Sequence, residues 1–473
     1  MIRKIAGKPC IHALLIAAVA GFLATGCKTY EQRNTAIKYW HQGDVTNALV
    51  EATKMADSNA NNKDAIIWRL EQAAVLRAAG QYDESNKAFD LAQAKIDDYE
   101  AKAKVRVGQE AGALLSNQAE LDYEGRSYDG IMLNTYKALN YLELGEPDKA
   151  RPELIRAYQR QQNAVEENKK RIEKVQAEAA QSKDKATMKK AEDDPKFQAQ
   201  MAGTFTNLDN LKAYTDYVNP FTVYLDGLFF MANAADGSDL ERAHKSFERV
   251  AGFLGDNQYI KEDLATVDGL IAGKPLVPTT YVIFETGSAP VREQTRIDIP
   301  IIVTKVSYIG AAFPKLRPHG NYLSDLSVMV NGTNVATTTL LADMDSVIGL
   351  DFKNEMPVVI TKTIAATVTK AVAAYAINQA ANQSSSIFGL VAQISTAVYQ
   401  GAVNIADERT WTTLPKQFQF ARFPTPEDRK IELVLPGGLQ KIPVTIIPGT
   451  INLVYVKSIT TTSPLLVTQI KLK

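Results

Sequence analysis

"GKPLVPTTYVIFETGSAPVREQ", residues 273–294, is where the chain changes period. Before it, apolar residues recur at three- and four-residue steps. After Pro275 and Pro278 they crowd into short runs of β-branched and aromatic residues. The first spacing keeps one helix face apolar, and the second suits a pleated strand. The passage therefore divides a helical region, residues 27–275, from a β-rich region, residues 276–473, and the fold class expected is α+β.

Upstream of the break, "DAIIWRLEQAAVLRAAG" sets Ile66, Leu70, Ala73 and Ala74 on one helix face. Turn residues Gly43, Gly80, Gly145 and Ser238 are each followed five positions later by a small residue: Ala48, Ser85, Ala150 and Ala243. Four further on come Ala52, Phe89, Leu154 and Phe247, and Ala36, Ala73 and Ala138 lie seven before the first three turns. This resembles the tetratricopeptide motif, in which small residues let paired helices approach. Turn spacings of 37, 65 and 93 residues make it an interrupted array. The alternative is a general helical bundle with Gly turns. Residues 159–200 are rich in Glu, Lys and Gln, with Val165, Ile172, Val175 and Ala179 on a narrow stripe. A long, largely solvated helical insert is expected there.

Downstream, "TYVIFE", "DIPIIVTKVSYI", "DLSVMVNGTNVATTTLL", "RKIELVLPGG", "QKIPVTIIPG" and "TINLVYVKSI" read as strands, with Asn331-Gly332 as a hairpin turn. Residues 342–407 form an Ala-rich helical insert. A transmembrane hairpin is opposed by Lys362 and Lys370, each costing about 2.5–3.5 kcal/mol at mid-bilayer. A helical hairpin packed on the sheet is the preferred reading.

The N-terminus carries Arg3, Lys4 and Lys8, then an apolar run from Ile11 to Leu23, then small residues: an export signal, residues 1–26. Leu23, Ala24, Thr25 and Gly26 before Cys27 resemble a lipobox, which implies acylation of Cys27 and an anchor in a bilayer. Lys28 is permissive for outer-membrane sorting by the same resemblance, facing the periplasm. Of 473 residues, 45% are apolar and 22% charged. Losing the leader takes the formal charge from zero to −3, which does not suggest a nucleic-acid partner. Cys10 leaves with the leader, so no disulfide forms within the mature chain.

Candidate chemistry is sparse. His41, His244 and His319 are far apart in sequence, so neither a His-rich metal site nor any other cofactor is expected. Asp343 and Asp345 read as a helix start rather than a cation site. Glu285 ends an apolar strand just before Gly287. It is a candidate lone acid for glycan cleavage, but pairing with Arg292 or a turn cap is preferred, because acids at strand ends usually face water. In "DERTWTTLPKQFQFAR" (407–422), Arg409 and Trp411 precede Pro415 and a strand holding Phe418, Phe420 and Arg422. Trp beside Arg suits a binding hot spot or a buried clamp between insert and sheet.

Taken together, "YEGRSYDGIMLNTYKALNYLELGEPDKAR" (123–151), "NPFTVYLDGLFF" (219–230), "VIFETGSAPVRE" (282–293, with Pro290), "YIGAAFPKLRP" (308–318) and 407–422 resemble an uncharacterised family of Gram-negative, tetratricopeptide-containing outer-membrane lipoproteins. The resemblance implies a lipid-anchored envelope protein and carries no activity. Genes of that family often neighbour those for lipoprotein activators of penicillin-binding proteins. The expectation is a non-enzymatic adaptor that binds envelope proteins through a helical groove. A regulator of peptidoglycan synthesis and a Glu285 glycan-cleaving enzyme are the alternatives.

Overall fold

A computed structural model describes residues 34–105, 118–206, 208, 211, 214, 217–302, 306–382, 405–438 and 440–473. Cys27 and its leader lie outside the described residues. The protein is α+β, with helices first and strands after residue 279.

The helical part is a series of antiparallel pairs: α1 (Thr35–His41) with α2 (Val45–Ser58), α3 (Ala65–Ala78) with α4 (Tyr82–Val105), and α5 (Ser127–Glu143) with α6 (Pro147–Gln181). After α7 (Lys185–Glu192) and α8 (Pro195–Phe205) come α9 (Pro220–Ala232), α10 (Gly237–Leu254) and α11 (Gln258–Ile271). Gly43, Gly80 and Gly145 end the first helix of their pairs at φ of +75°, +74° and +71°, a conformation L side chains resist. The small residues that the sequence pattern singles out around the helix turns are buried. Ala36, Ala48, Ala52, Ala73, Ser85, Ala138, Ala150 and Ala243 are all at most 2% exposed. Phe247 fills the space over Gly227, where a Cβ would sit 2.9 Å from its ring.

The strands form three sheets. β1 (Thr279–Thr286) lies in a five-stranded sheet with β6 (Thr339–Asp343), β7 (Gln417–Pro424), β10 (Ile451–Ser458) and β11 (Leu466–Lys471), in the order β11-β10-β1-β7-β6. Only the β1–β10 pair is parallel among the described strands. β4 (Ser327–Val330), β5 (Thr333–Thr337), β8 (Lys430–Val434) and β9 (Lys441–Thr445) form a second sheet, ordered β5-β4-β8-β9. β2 (Val291–Ile302) and β3 (Val306–Arg317) form a long ribbon. "DIPIIVTKVSYI" is thus two strands of a hairpin rather than one strand.

Alternation along β1 explains why its whole length is apolar. Tyr281 and Ile283 join the core shared with the helices, while Val282 and Phe284 join the core shared with the four-stranded sheet. β10 divides in the same way, with Leu453 and Tyr455 on one side and Val454 and Val456 on the other. The five-stranded sheet is therefore the middle of three layers, and strands covered on both faces read as continuous apolar runs. One core crosses the position where the period changes, running from Ile66 and Tyr136 through Phe221 to Trp411, Phe418 and Leu472.

Of the two helical inserts, one is described in part and the other has a few buried positions. Among the described residues the insert contributes one helix of 39 residues, α12 (Met344–Asn382), and most of the expected second helix falls outside the described residues. Residues 405–416 run without helix back to β7. Asp343 does open α12, accepting from the amides of Asp345 (2.9 Å) and Ser346 (3.3 Å). Among the described residues, one helix stretch, Met344–Ala373, is long and apolar enough to cross a membrane, and 44% of its apolar window is buried inside the protein. Most positions of the charged stretch 159–200 are exposed or half-buried, with a few buried ones among them. Ala164, Val175, Met188, Ala191 and Phe197 are buried, and Phe197 meets Phe313 of the ribbon at 6.2 Å between ring centres.

Candidate functional site

Segment 405–416 lies between helices and sheet, and the helices hold it through both its backbone and its side chains. Glu71 on α3 is fully buried, and its carboxylate accepts from the amides of Thr412 (2.7 Å) and Thr413 (3.2 Å). Burial outweighs those bonds and pushes the Glu71 carboxyl up to about 7. Arg409 donates to Asp407 (2.8 Å), Asp64 (3.0 Å) and the carbonyl of Leu121 (2.9 Å). Trp411 is fully buried, edge-on to Phe89 of α4 and Tyr136 of α5 at 5.9 Å each. It clamps the segment to the helices, where a clamp between insert and sheet was expected.

Beside this segment, Glu355 of α12 accepts from Arg126 (2.6 Å) and Arg292 (2.7 Å). Burial raises its pKa, but the two guanidiniums outweigh burial and hold the carboxyl well below the usual carboxylate range. Asp351, one turn earlier, is pushed up to about 7 by burial and by the charge of Glu355. Asp129 accepts from Tyr123 (2.6 Å) and the Arg126 amide (2.9 Å), and burial pushes it up to about 6. Three elements remote in sequence meet here: the start of α5, strand β2 and helix α12.

Glu285 faces the protein interior. It is 1% exposed, lies opposite Lys457 in the parallel register, and accepts from Lys457 (2.5 Å) and from Tyr455. Burial pushes its pKa up, but Lys457 and Arg77 outweigh burial and keep it low. The expected pairing with Arg292 does not form, because Arg292 belongs to Glu355. The strand-end acid avoids water because β1 is the central strand of a covered sheet. The Glu285 carboxylate is thus ionised, enclosed and held by Lys457 and Tyr455.

The remaining candidates are likewise engaged within the fold. Arg422 pairs with Asp263 at 2.8 Å, and Asp263 also accepts from Tyr224 (2.9 Å) and Tyr281 (2.8 Å). Burial pushes Asp263 up to about 6. Gly287 takes a φ of +71°, and a Cβ there would sit 2.5 Å from that of Tyr322. Pro290 and Pro415 are buried next to backbone bonds that join the two strand ends, Ala289 to Leu414 (2.9 Å) and Lys416 to Thr286 (3.0 Å).

Among the described residues, the charged sequence-derived candidates thus fall into four clusters. Their partners Glu71, Arg126, Asp263, Glu355 and Lys457 were not anticipated. A charged residue set among buried apolar neighbours, as Glu71 is beside Leu70, is the only local signal they carry. A shallow furrow of about 340 Å³ between α6 and α12, lined by Val165, Asn168, Ile172, Tyr217 and Asn354 among others, includes none of the candidates. Among the described residues, no group of three or more His, Cys, Asp or Glu is placed to hold a metal. Comparison with protein families, curated proteins and solved structures found no match.

Proposed function

We propose that this chain is a non-catalytic adaptor of the cell envelope, anchored to the outer membrane through Cys27 and built on tetratricopeptide-like helix pairs. One observation carries the reading. Glu285, Arg292, Arg409 and Arg422, the charged residues best suited to chemistry, are each engaged in an ion pair within the protein. The repeated hairpins with small residues at their contacts support the helical-repeat assignment. The inner helices α3, α5 and α9 are buried on nearly every side, and the chain's own segment 405–424 lies against them. Partner contact is therefore assigned to the outer row, where Val50, Leu91 and Val165 are 60%, 52% and 51% exposed.

Photo-crosslinking residues placed at these three positions in living cells test the reading. Adducts with envelope proteins are expected, and they should disappear when Cys27→Ser prevents anchoring. An anchored protein without adducts at any of the three positions, or a mature N-terminus without acyl groups by mass spectrometry, would overturn it.

A further inference from the structure

Residues 407–413, "DERTWTT", lie on the helices as a bound peptide lies in a groove. Leu414 and Lys416, which follow, are tied by their backbones to Ala289 and Thr286 beside the end of β1. In the stretch before them, helix side chains read the backbone. Glu71 of α3 takes the amides of Thr412 and Thr413, and Arg126, at the start of α5, donates to the carbonyl of Arg409 at 3.3 Å. The side chains are read as well. Arg409 reaches Asp64, Thr410 shares a hydrogen bond with Tyr128 (3.2 Å), and the Trp411 ring fills the space between Phe89 and Tyr136. Backbone contacts fix the register of an extended chain, and pockets for alternate side chains select its sequence.

The indole N–H narrows that selection. It donates to Thr413 Oγ1, two residues further along the same segment, at 2.9 Å. The helices supply aromatic faces to the ring, and the segment brings the acceptor with it. A buried indole N–H needs a partner, so a chain that places its Trp in this pocket must carry a hydroxyl two residues later. The space available is the space that the fully buried Trp411 and its neighbours already take.

We propose that the inner surface of α3, α4 and α5 is a peptide-binding groove whose resident occupant is the chain's own segment 407–413. In trans it takes an extended peptide of the same chemistry: an arginine, a tryptophan two residues on, and a threonine two residues after that. The resident segment competes at an effective concentration on the order of millimolar, so an incoming chain gains the groove by matching this pattern. The inference is independent of anchoring through Cys27 and of contacts on the outer row.

The test uses the full mature chain and a fluorescein-labelled peptide of residues 406–416 as the probe. Trp411→Ala removes the anchor of the resident segment and opens the pocket between Phe89 and Tyr136. By fluorescence anisotropy, the peptide is expected to bind this variant at least about tenfold more tightly than the wild type. The same peptide carrying Trp411→Ala or Thr413→Val should bind the variant at least about tenfold more weakly than the native peptide. Bound peptide should also raise the melting temperature of the variant. If Trp411→Ala does not fold, Trp411→Phe, which leaves a smaller void, takes its place with the same expectations. Equal affinity of wild type and variant for the native peptide, or undiminished binding of either altered peptide, would overturn the proposal.

Discussion

Replacing Glu355 by Gln leaves Arg126 and Arg292 buried around a side chain that no longer carries charge. Their guanidiniums lie 2.6 and 2.7 Å from one Glu355 oxygen, and both arginine side chains are under 10% exposed. Removing one partner from a buried pair costs about 3–5 kcal/mol. Part of that loss should be recovered locally. Asp351 holds its proton partly because Glu355 is ionised. With Gln at 355, Asp351 ionises and supplies the missing anion, so a net cost of about 2–3 kcal/mol is expected at pH 6, where Asp351 of the wild type still holds its proton.

The sign for Asp351 alone is opposite. Its pKa in the folded protein, about 7, lies above its ordinary 3.8. The proton therefore stabilises the fold at low pH, and this contribution is lost as pH rises through 7. At about 1.4 kcal/mol per unit, the wild type should gain up to about 4 kcal/mol over Asp351→Asn between pH 8.5 and pH 4. The double substitution removes the reserve anion and should cost more than the sum of its parts. Urea midpoints for wild type, both single variants and the double, measured across pH 5–8.5, would check this. Additive effects, or a wild-type minus Asp351→Asn difference that does not vary with pH, would refute the reasoning.

Trp411→Ala empties a fully enclosed site between Phe89 and Tyr136 and should cost about 3–5 kcal/mol, read from thermal unfolding. Gly227→Val forces Phe247 out of its place and should cost about 1–3 kcal/mol, measured the same way. Glu285→Gln leaves the largely enclosed Lys457 without its counter-charge, and a loss of about 3 kcal/mol is expected. Incubated with peptidoglycan sacculi, that variant and the wild type should both release nothing; release by the wild type alone would return Glu285 to the role of a catalytic acid.

Much of the architecture follows from local pattern. The 3.6-residue period before Pro275, the runs of strand-forming residues after it, the glycines at 43, 80 and 145 and the Asn331-Gly332 turn each state how a short stretch meets its surroundings, because burial direction repeats with the geometry of the element. The same logic marked Glu285 and Trp411 as unusual without saying what they face. It misjudged Glu285, since a strand end looks solvated until the neighbouring strands are known. The pairings were decided only in three dimensions: Arg126 with Glu355 across 229 residues, Arg409 with Asp64 across 345, and His41 beside His319. A charged side chain carries no periodic signal of its partner. Which opposite charge it meets depends on the order of strands and the path of segment 405–416, and those are settled by how the three layers close over a shared core.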